Sequence, residues 1–196
     1  ILKSPNRLFK YTRIIKEQNT RLSKNVEKVL NLASLEKNKI RLNLEPVNPD
    51  AFTGENIEHL KQSDFGRKAI ICYQPKISET VVNADKFHFS NLIQNILENA
   101  VKYCEREPEI KIELKINGKQ LNLIFADNGI GIPKEHRDKI FKKFYRVPTG
   151  NVHNVKGFGL GLDYVAKIVK AHNWKIKVDD NPAGGSIFTL LIPMQK

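Results

Sequence analysis

Three groups of residues in this sequence have types and spacings that could do chemistry. The first is Asn91, Asn95 and Asn99, followed by Lys102. At about 100° per residue these four fall in one narrow helical stripe, joined by His88. Phe89, Ile93, Ile96, Leu97, Ala100 and Val101 fall on the opposite, core side. A solvated helix face normally carries Glu and Lys, which favour helix more than Asn does, so a run of carboxamides is unusual. Carboxamide oxygens can ligate a hard cation such as Mg²⁺, and the Lys102 ammonium can neutralise a phosphate. A polar face that is merely solvated is the competing reading.

The second group is Asp127-Asn128-Gly129-Ile130-Gly131-Ile132-Pro133, directly after an apolar run. An acid at a strand end followed by two glycines places a carboxylate beneath a tight loop, where it can read an exocyclic amine such as that of adenine. An ordinary turn is the alternative. The third is Gly157-Phe158-Gly159-Leu160-Gly161-Leu162, opening a helix. Its glycines let backbone N–H groups approach an anion at a helix N-terminus. A polar stretch precedes it and its third Gly comes early, so it is not a dinucleotide-binding turn, and no phosphate-loop motif ending in Gly-Lys-Ser/Thr occurs. Asp64-Phe65-Gly66 and His136-Arg137-Asp138 mimic protein-kinase motifs in reversed order, with Lys143 where a metal-binding Asn is required. We read both as chance.

Composition narrows the class. No apolar stretch is long enough to span a bilayer. Cys72 and Cys104 stand alone, without the spacing of a zinc site, and suggest reduced thiols in a cytoplasmic protein. The net charge of +12 is uneven: residues 1–44 hold eleven Lys or Arg against three Glu. Such a run is a solvated helix face, or a surface for an acidic partner, nucleic acid or a membrane. The sequence opens Ile1-Leu2-Lys3-Ser4-Pro5, without an initiator Met, and we expect it to be a piece of something longer.

The elements that must position these groups follow from periodicity. Between Pro5 and Lys39 no Gly appears, and Leu22, Val26, Val29 and Ala33 recur at helical spacing. This predicts a helix of roughly thirty residues, which needs a partner helix or a second chain. Alternation in Ile40–Leu44 predicts a strand. Further expectations are a helix over Pro49–Gln62, a strand over Ala69–Tyr73 and a long helix over Asp85–Tyr103. A hairpin of Ile110–Ile116 with Leu121–Ala126 turns at Asn117-Gly118. Short helical pieces over Pro133–Phe144, a polar loop over 146–156, a helix over Leu160–His172 and a hairpin of Trp174–Val178 with Ser186–Ile192 complete the chain. This is an α+β fold, a two-layer α/β sandwich with helices on one sheet face, preceded by a long helix.

Taken together and in order, the Asn-rich helix, the Asp127–Pro133 loop, Phe141-Lys142-Lys143-Phe144-Tyr145-Arg146 and Gly157–Leu162 resemble the N box, first glycine box, F box and second glycine box of sensor histidine kinases. Gly184-Gly185-Ser186-Ile187-Phe188 is similar to the last glycine motif of that family. The resemblance implies an ATP-binding fold of the gyrase, Hsp90, histidine kinase and MutL type over residues 41–196. It makes residues 1–40 the second helix of a dimerisation hairpin, with Ser4-Pro5-Asn6 in the hairpin loop. It implies that Asn95 and Asn99 hold Mg²⁺ and phosphates, that Lys102 contacts phosphate, and that Tyr103 lies beside the nucleotide. Asp127 becomes the adenine reader, with Gly129, Gly131 and Ile132 shaping its loop. Gly157, Phe158, Gly159, Leu160, Gly161 and Leu162 become the phosphate loop after a lid, and Arg146 a contact to the γ-phosphate.

Two departures matter. ATP-hydrolysing relatives of the superfamily place a Glu four residues before the N-box Asn; here that position is Asn95, which disfavours water attack and favours transfer to a protein acceptor. Glu98 points about 60° from Asn95 and about 100° from Asn99 around the helix, which makes it a poor candidate base. The phosphoaccepting His of the family is followed by Glu or Asp and shortly by Thr-Pro; the five histidines here are followed by Leu60, Phe89, Arg137, Asn154 and Asn173. The acceptor is therefore expected upstream of Ile1, and this stretch is expected to bind Mg-ATP without phosphorylating itself. The resemblance further implies a homodimeric parent, commonly anchored in a membrane, passing phosphate to a response regulator receiver domain. No nucleic acid and no membrane contact is expected of these residues. A nucleotide-binding regulatory module or pseudokinase, a nucleic-acid-binding domain and an anti-sigma-type serine kinase are the alternatives; the long helix argues against the last.

Overall fold

The strongest alternations in the sequence lie at the centre of a five-stranded sheet. The computed structural model describes Phe9, Tyr11, Thr12, Ile15, Asn19 and residues 40–63, 66–74, 80–148 and 159–194. The chain divides into two units, Ile1–Arg41 and Leu42–Lys196. In the first, the described residues from Phe9 to Asn19 are helical, and Phe9, Tyr11 and Ile15 are exposed. The rest of the expected long helix lies outside the described residues, including Ser4-Pro5-Asn6, Leu22, Val26 and Val29.

The second unit runs β1 (Glu45–Val47), α1 (Pro49–Gln62), β2 (Ile70–Tyr73), β3 (Val82–Ala84), α2 (Lys86–Lys102), β4 (Glu109–Asn117), β5 (Gln120–Asp127), α3 (Gly161–Ala171), β6 (Lys175–Asp180) and β7 (Ser186–Pro193). The main sheet has the order β2-β4-β5-β7-β6; β2 joins β4 in parallel and the other pairs are antiparallel. β1 and β3 form a separate antiparallel pair. The starts of α1 and α2 have a sequence cause. Asn48 accepts hydrogen bonds from the Asp50 and Ala51 amides, with Pro49 in the first turn of α1. Asp85 caps α2 by accepting from the His88 amide at 3.0 Å.

The inner sheet face presents Ile110, Ile112 and Leu114 from β4, Leu121, Leu123 and Phe125 from β5, and Phe188, Leu190 and Ile192 from β7, all buried. Against it pack Phe89, Ile93, Ile96 and Leu97 of α2 and Val165 and Ile168 of α3. Each of these side chains contributes roughly 1.5–3 kcal/mol. Phe89 stacks on Phe52 at 5.2 Å and meets Trp174 edge-on at 5.2 Å, which joins α1, α2 and the start of β6. The expected α+β sandwich is therefore present in the second unit.

Two local expectations are corrected. The strand predicted over Ile40–Leu44 is not formed; β1 begins at Glu45, because only Glu45–Val47 find a partner, in Val82–Ala84. β3 itself was not expected. In Pro133–Phe144 only Lys134–His136 is helical, as a single 3₁₀ turn, followed by i→i+3 turns such as Lys142 N to Lys139 O at 2.9 Å. That run ends with Phe144 at a φ of 62°.

Candidate functional site

β5 alternates core and outer residues, and its period of two carries Leu121, Leu123 and Phe125 on to Asp127. A carboxylate thus ends a core row and is 8% exposed. Such a group must find hydrogen bonds. Its Oδ1 accepts from the amides of Gly129 (2.9 Å) and Ser186 (3.1 Å). Oδ2 has no partner among the described residues. Burial pushes the Asp127 carboxyl above the ordinary carboxylate range, and the Gly129 and Ser186 amides pull against it.

Around this carboxylate the backbone packs to contact. A Cβ at Gly185, whose φ is 99°, would lie 2.1 Å from the Asp127 carbonyl oxygen, and one at Gly129 would lie 2.6 Å from that of Tyr103. The Ile130 amide donates to the Tyr103 carbonyl at 2.9 Å. Tyr103 therefore enters the site through its main chain. Asn181 Nδ2 donates to the Asp127 carbonyl at 2.8 Å. Asn128 ties the loop to β4, accepting from the Glu109 amide at 2.9 Å and donating to the Glu107 carbonyl at 3.0 Å. A cavity of about 450 Å³ opens beside this collar, with Gly131, Ile132, Arg137, Asn181 and Gly185 in its walls.

The second half of the site lies between α2 and α3. Leu160 precedes α3 and gives its first turn no side-chain cap, so the first amides of α3 can meet an anion. Leu160 itself is buried and Leu162 half-buried. A Cβ at Gly161 would lie 2.7 Å from Asn95 Oδ1. Asn95 Nδ2 donates to the Asn91 carbonyl at 2.6 Å, which orients the amide with its oxygen toward the start of α3. Asn99 and Lys102 continue the stripe, half-buried. The other end of the stripe is structural: His88 Nδ1 and the Tyr164 hydroxyl are 2.8 Å apart, and Asn91 bonds the same hydroxyl. Burial pushes the Tyr164 hydroxyl up to about 12. The part of the carboxamide row not engaged with Tyr164 is Asn95, Asn99 and Lys102, all half-buried.

Gly159, with a φ of 67°, packs against the F-box segment. Its Cβ would lie 2.9 Å from the Tyr145 carbonyl oxygen, and its own carbonyl accepts from the Phe144 amide at 3.1 Å. Arg146 is exposed. Gly157 and Phe158 lie outside the described residues, as does most of the expected loop over 146–156. The structure thus gathers Tyr103, Asp127, Gly129, Gly131 and Ile132 at one end, and Asn95 with Gly161 at another. Sequence reasoning did not find Asn181, Asn128, Arg137 or Tyr164. Asn181 stands beside Pro182 and reads as an ordinary turn residue; only its bond to the Asp127 carbonyl gives it a role.

With this geometry in place, the comparisons are specific. Residues 84–196, more than half of the chain, match the family of histidine kinase-, DNA gyrase B- and HSP90-like ATPases. Sensor protein RprX of Bacteroides fragilis is 36% identical over 99% of this chain and 38% of its own length. Sensor protein CiaH of Streptococcus pneumoniae is 33% identical over 75% of this chain and 33% of its own. Among solved structures, the histidine kinase AdeS of Acinetobacter baumannii matches the whole chain with a TM-score of 0.72 at 25% identity, covering 88% of that chain. Full-length ShkA in complex with AMPPNP matches with a TM-score of 0.79 at 24% identity, covering 40% of that chain. The chain belongs to the histidine kinase-, DNA gyrase B- and HSP90-like ATPase family. Within it, residues 84–196 form an ATP-binding catalytic domain of the sensor histidine kinase type. The chain spans about a third of the length of these two curated relatives.

Proposed function

We propose that this chain supplies the nucleotide-binding half of a phosphoryl transfer from ATP to a histidine. The observation that carries the reading is Asp127, a buried carboxylate with one oxygen held by two backbone amides and the other left to accept from the exocyclic amine of adenine. Gly129, Gly131 and Ile132 shape the loop over the base, and Tyr103, just past the end of α2, lies beside it. Lys102 neutralises phosphate charge. The phosphates lie along Gly157, Phe158, Gly159, Leu160, Gly161 and Leu162 at the start of α3. Arg146 reaches the γ-phosphate.

Asn95 and Asn99 are the residues that would hold Mg²⁺. The orientation of Asn95 fits, since its nitrogen is spent on Asn91 and its oxygen is left over. Neutral amide oxygens suit a hard cation that arrives on a triphosphate, and the ion supplies charge neutralisation there. With Asn95 where hydrolysing relatives keep a Glu, that position offers water no base, which favours transfer of the γ-phosphoryl group to a protein acceptor.

The acceptor is a histidine on the partner helix of the dimerisation hairpin to which residues 1–40 contribute, in a homodimer. From there the phosphoryl group passes to the aspartate of a response regulator receiver domain; a neighbour in the fold, the histidine kinase ThkA, is described in complex with the response regulator protein TrrA. Calorimetric titration of the chain with ATP, with and without Mg²⁺, and of Asp127→Asn, tests the reading. Micromolar binding that needs Mg²⁺ and collapses in Asp127→Asn supports it. Absence of binding in the unaltered chain overturns it.

A further inference from the structure

His136-Arg137-Asp138, which the sequence offers only as a chance likeness to a kinase motif, lies where the base-reading end of the pocket is strapped together. Arg137 Nε donates to the Ile132 carbonyl at 3.1 Å. Its Nη2 donates to Asp180 Oδ1. The side chain of Arg137 is 17% exposed and that of Asp180 62%. Ile132 belongs to the loop that runs on from Asp127, and Asp180 is the last residue of β6. The next residue, Asn181, grips the Asp127 carbonyl at 2.8 Å. One planar guanidinium thus spans the two walls of the cavity beside Asp127, and Arg137 lines that cavity itself.

An exposed ion pair by itself contributes little. The Arg137 fork differs because its second bond is to a main-chain carbonyl of the cavity wall, so it fixes a distance as well as a charge. A lysine ammonium can meet Asp180 or the Ile132 carbonyl, but it lacks the rigid fork that holds both. We propose that Arg137 is a positioning residue for base recognition: it sets the gap between the Gly131–Pro133 loop and the β6–β7 turn, and so the width of the slot in which the purine meets Asp127. The inference rests on the reading of this pocket as an ATP site. Arg137 acts through Ile132 and Asp180, so its effect falls on the base and not on the phosphates.

Calorimetric titration with AMP, ADP and ATP, with and without Mg²⁺, tests this on the unaltered chain, Arg137→Lys, Arg137→Gln and Asp180→Asn. The two Arg137 variants are expected to lose about tenfold in affinity by the same factor for all three nucleotides. Their Mg²⁺ dependence and their thermal midpoint without nucleotide stay as in the unaltered chain. Asp180→Asn, whose amide oxygen still accepts, loses less with the same pattern, and adds little on top of Arg137→Lys. Unchanged affinities in both Arg137 variants, with the unaltered chain binding normally, overturn the inference and leave the ATP reading standing. So does a loss that grows with the number of phosphates, or one matched by a fall in thermal midpoint. If the unaltered chain binds none of the three, the ATP reading falls and this inference with it.

Discussion

Asp127 occupies a position where the sheet's periodicity calls for an apolar side chain, and its ionised form costs stability for that reason. Its folded pKa is raised, so the native state holds a proton more readily than the unfolded chain does. At neutral pH the buried charge subtracts from stability, and the penalty is relieved as pH falls. Asp127→Asn keeps an acceptor for the Gly129 and Ser186 amides and removes the charge. We expect its nucleotide-free thermal midpoint to equal or exceed that of the parent, while ATP affinity falls at least tenfold, about the weight of one hydrogen bond to a charged group. Scanning calorimetry and nucleotide titration on the same preparation check both halves. The carboxylate was legible in the sequence because an acid followed by Gly-x-Gly at the end of an apolar alternation has few structural uses. The residues that hold it were not. Asn181 acts through a bond to the Asp127 carbonyl and Arg137 through a bond to Asp180, both partners more than forty residues away, and nothing in local composition distinguishes such a residue from an ordinary turn or surface residue.

At the scale of elements, α3 is tied to the start of α2 at two places, through Tyr164 with His88 and through His172 with Asp85. His172 follows α3 and is buried, with Nδ1 on the Ile168 carbonyl at 2.9 Å and Nε2 accepting from the Asp85 amide at 3.0 Å. Those roles require the neutral ring, and burial holds its pKa below the ordinary value of 6.5. Its contribution is complete above the unfolded pKa and is lost as pH falls from there through the depressed folded value, when a protonated Nε2 would face the Asp85 N–H. The thermal midpoint should drop between pH 7 and pH 5, and the drop should be shallower in His172→Gln. Gly185→Ala meets the Asp127 carbonyl and a backbone φ of 99°, and should cost more than about 2 kcal/mol by denaturant unfolding. Gly54→Ala is the control: it lies mid-helix in α1 with open space around it, and should gain about 0.5–1 kcal/mol without touching nucleotide affinity. Long elements were legible because their periodicity repeats. β1 was misplaced because the apolar alternation of Ile40–Leu44 has no opposite strand, and Leu44 is 54% exposed. Pairing decides so short a strand, and a three-residue β3 carries too little pattern to reveal its partner.

For the whole molecule, every described residue assigned to nucleotide binding belongs to the unit Leu42–Lys196. A chain beginning at Leu42 should bind ATP within about twofold of the longer one, since it retains every described residue assigned to the pocket. Incubated with γ-labelled ATP, the chain of residues 1–196 should acquire no acid-labile, base-stable label, because none of its five histidines stands in an acceptor motif. The order of four motifs along the sequence made the class of protein readable before any fold was known, whereas the closeness of Asn95 to Gly161 exists only after α2 and α3 have docked. One consequence follows from Asp127 sharing a row with Leu121, Leu123 and Phe125. Sliding β5 by a single position would exchange Asp127 for Ala126 on the helix side, and the carboxylate would turn outward. If Asp127 reads adenine as proposed, correct strand alignment and base recognition are one property, and an adenine affinity column is expected to retain aligned molecules and let misaligned ones pass.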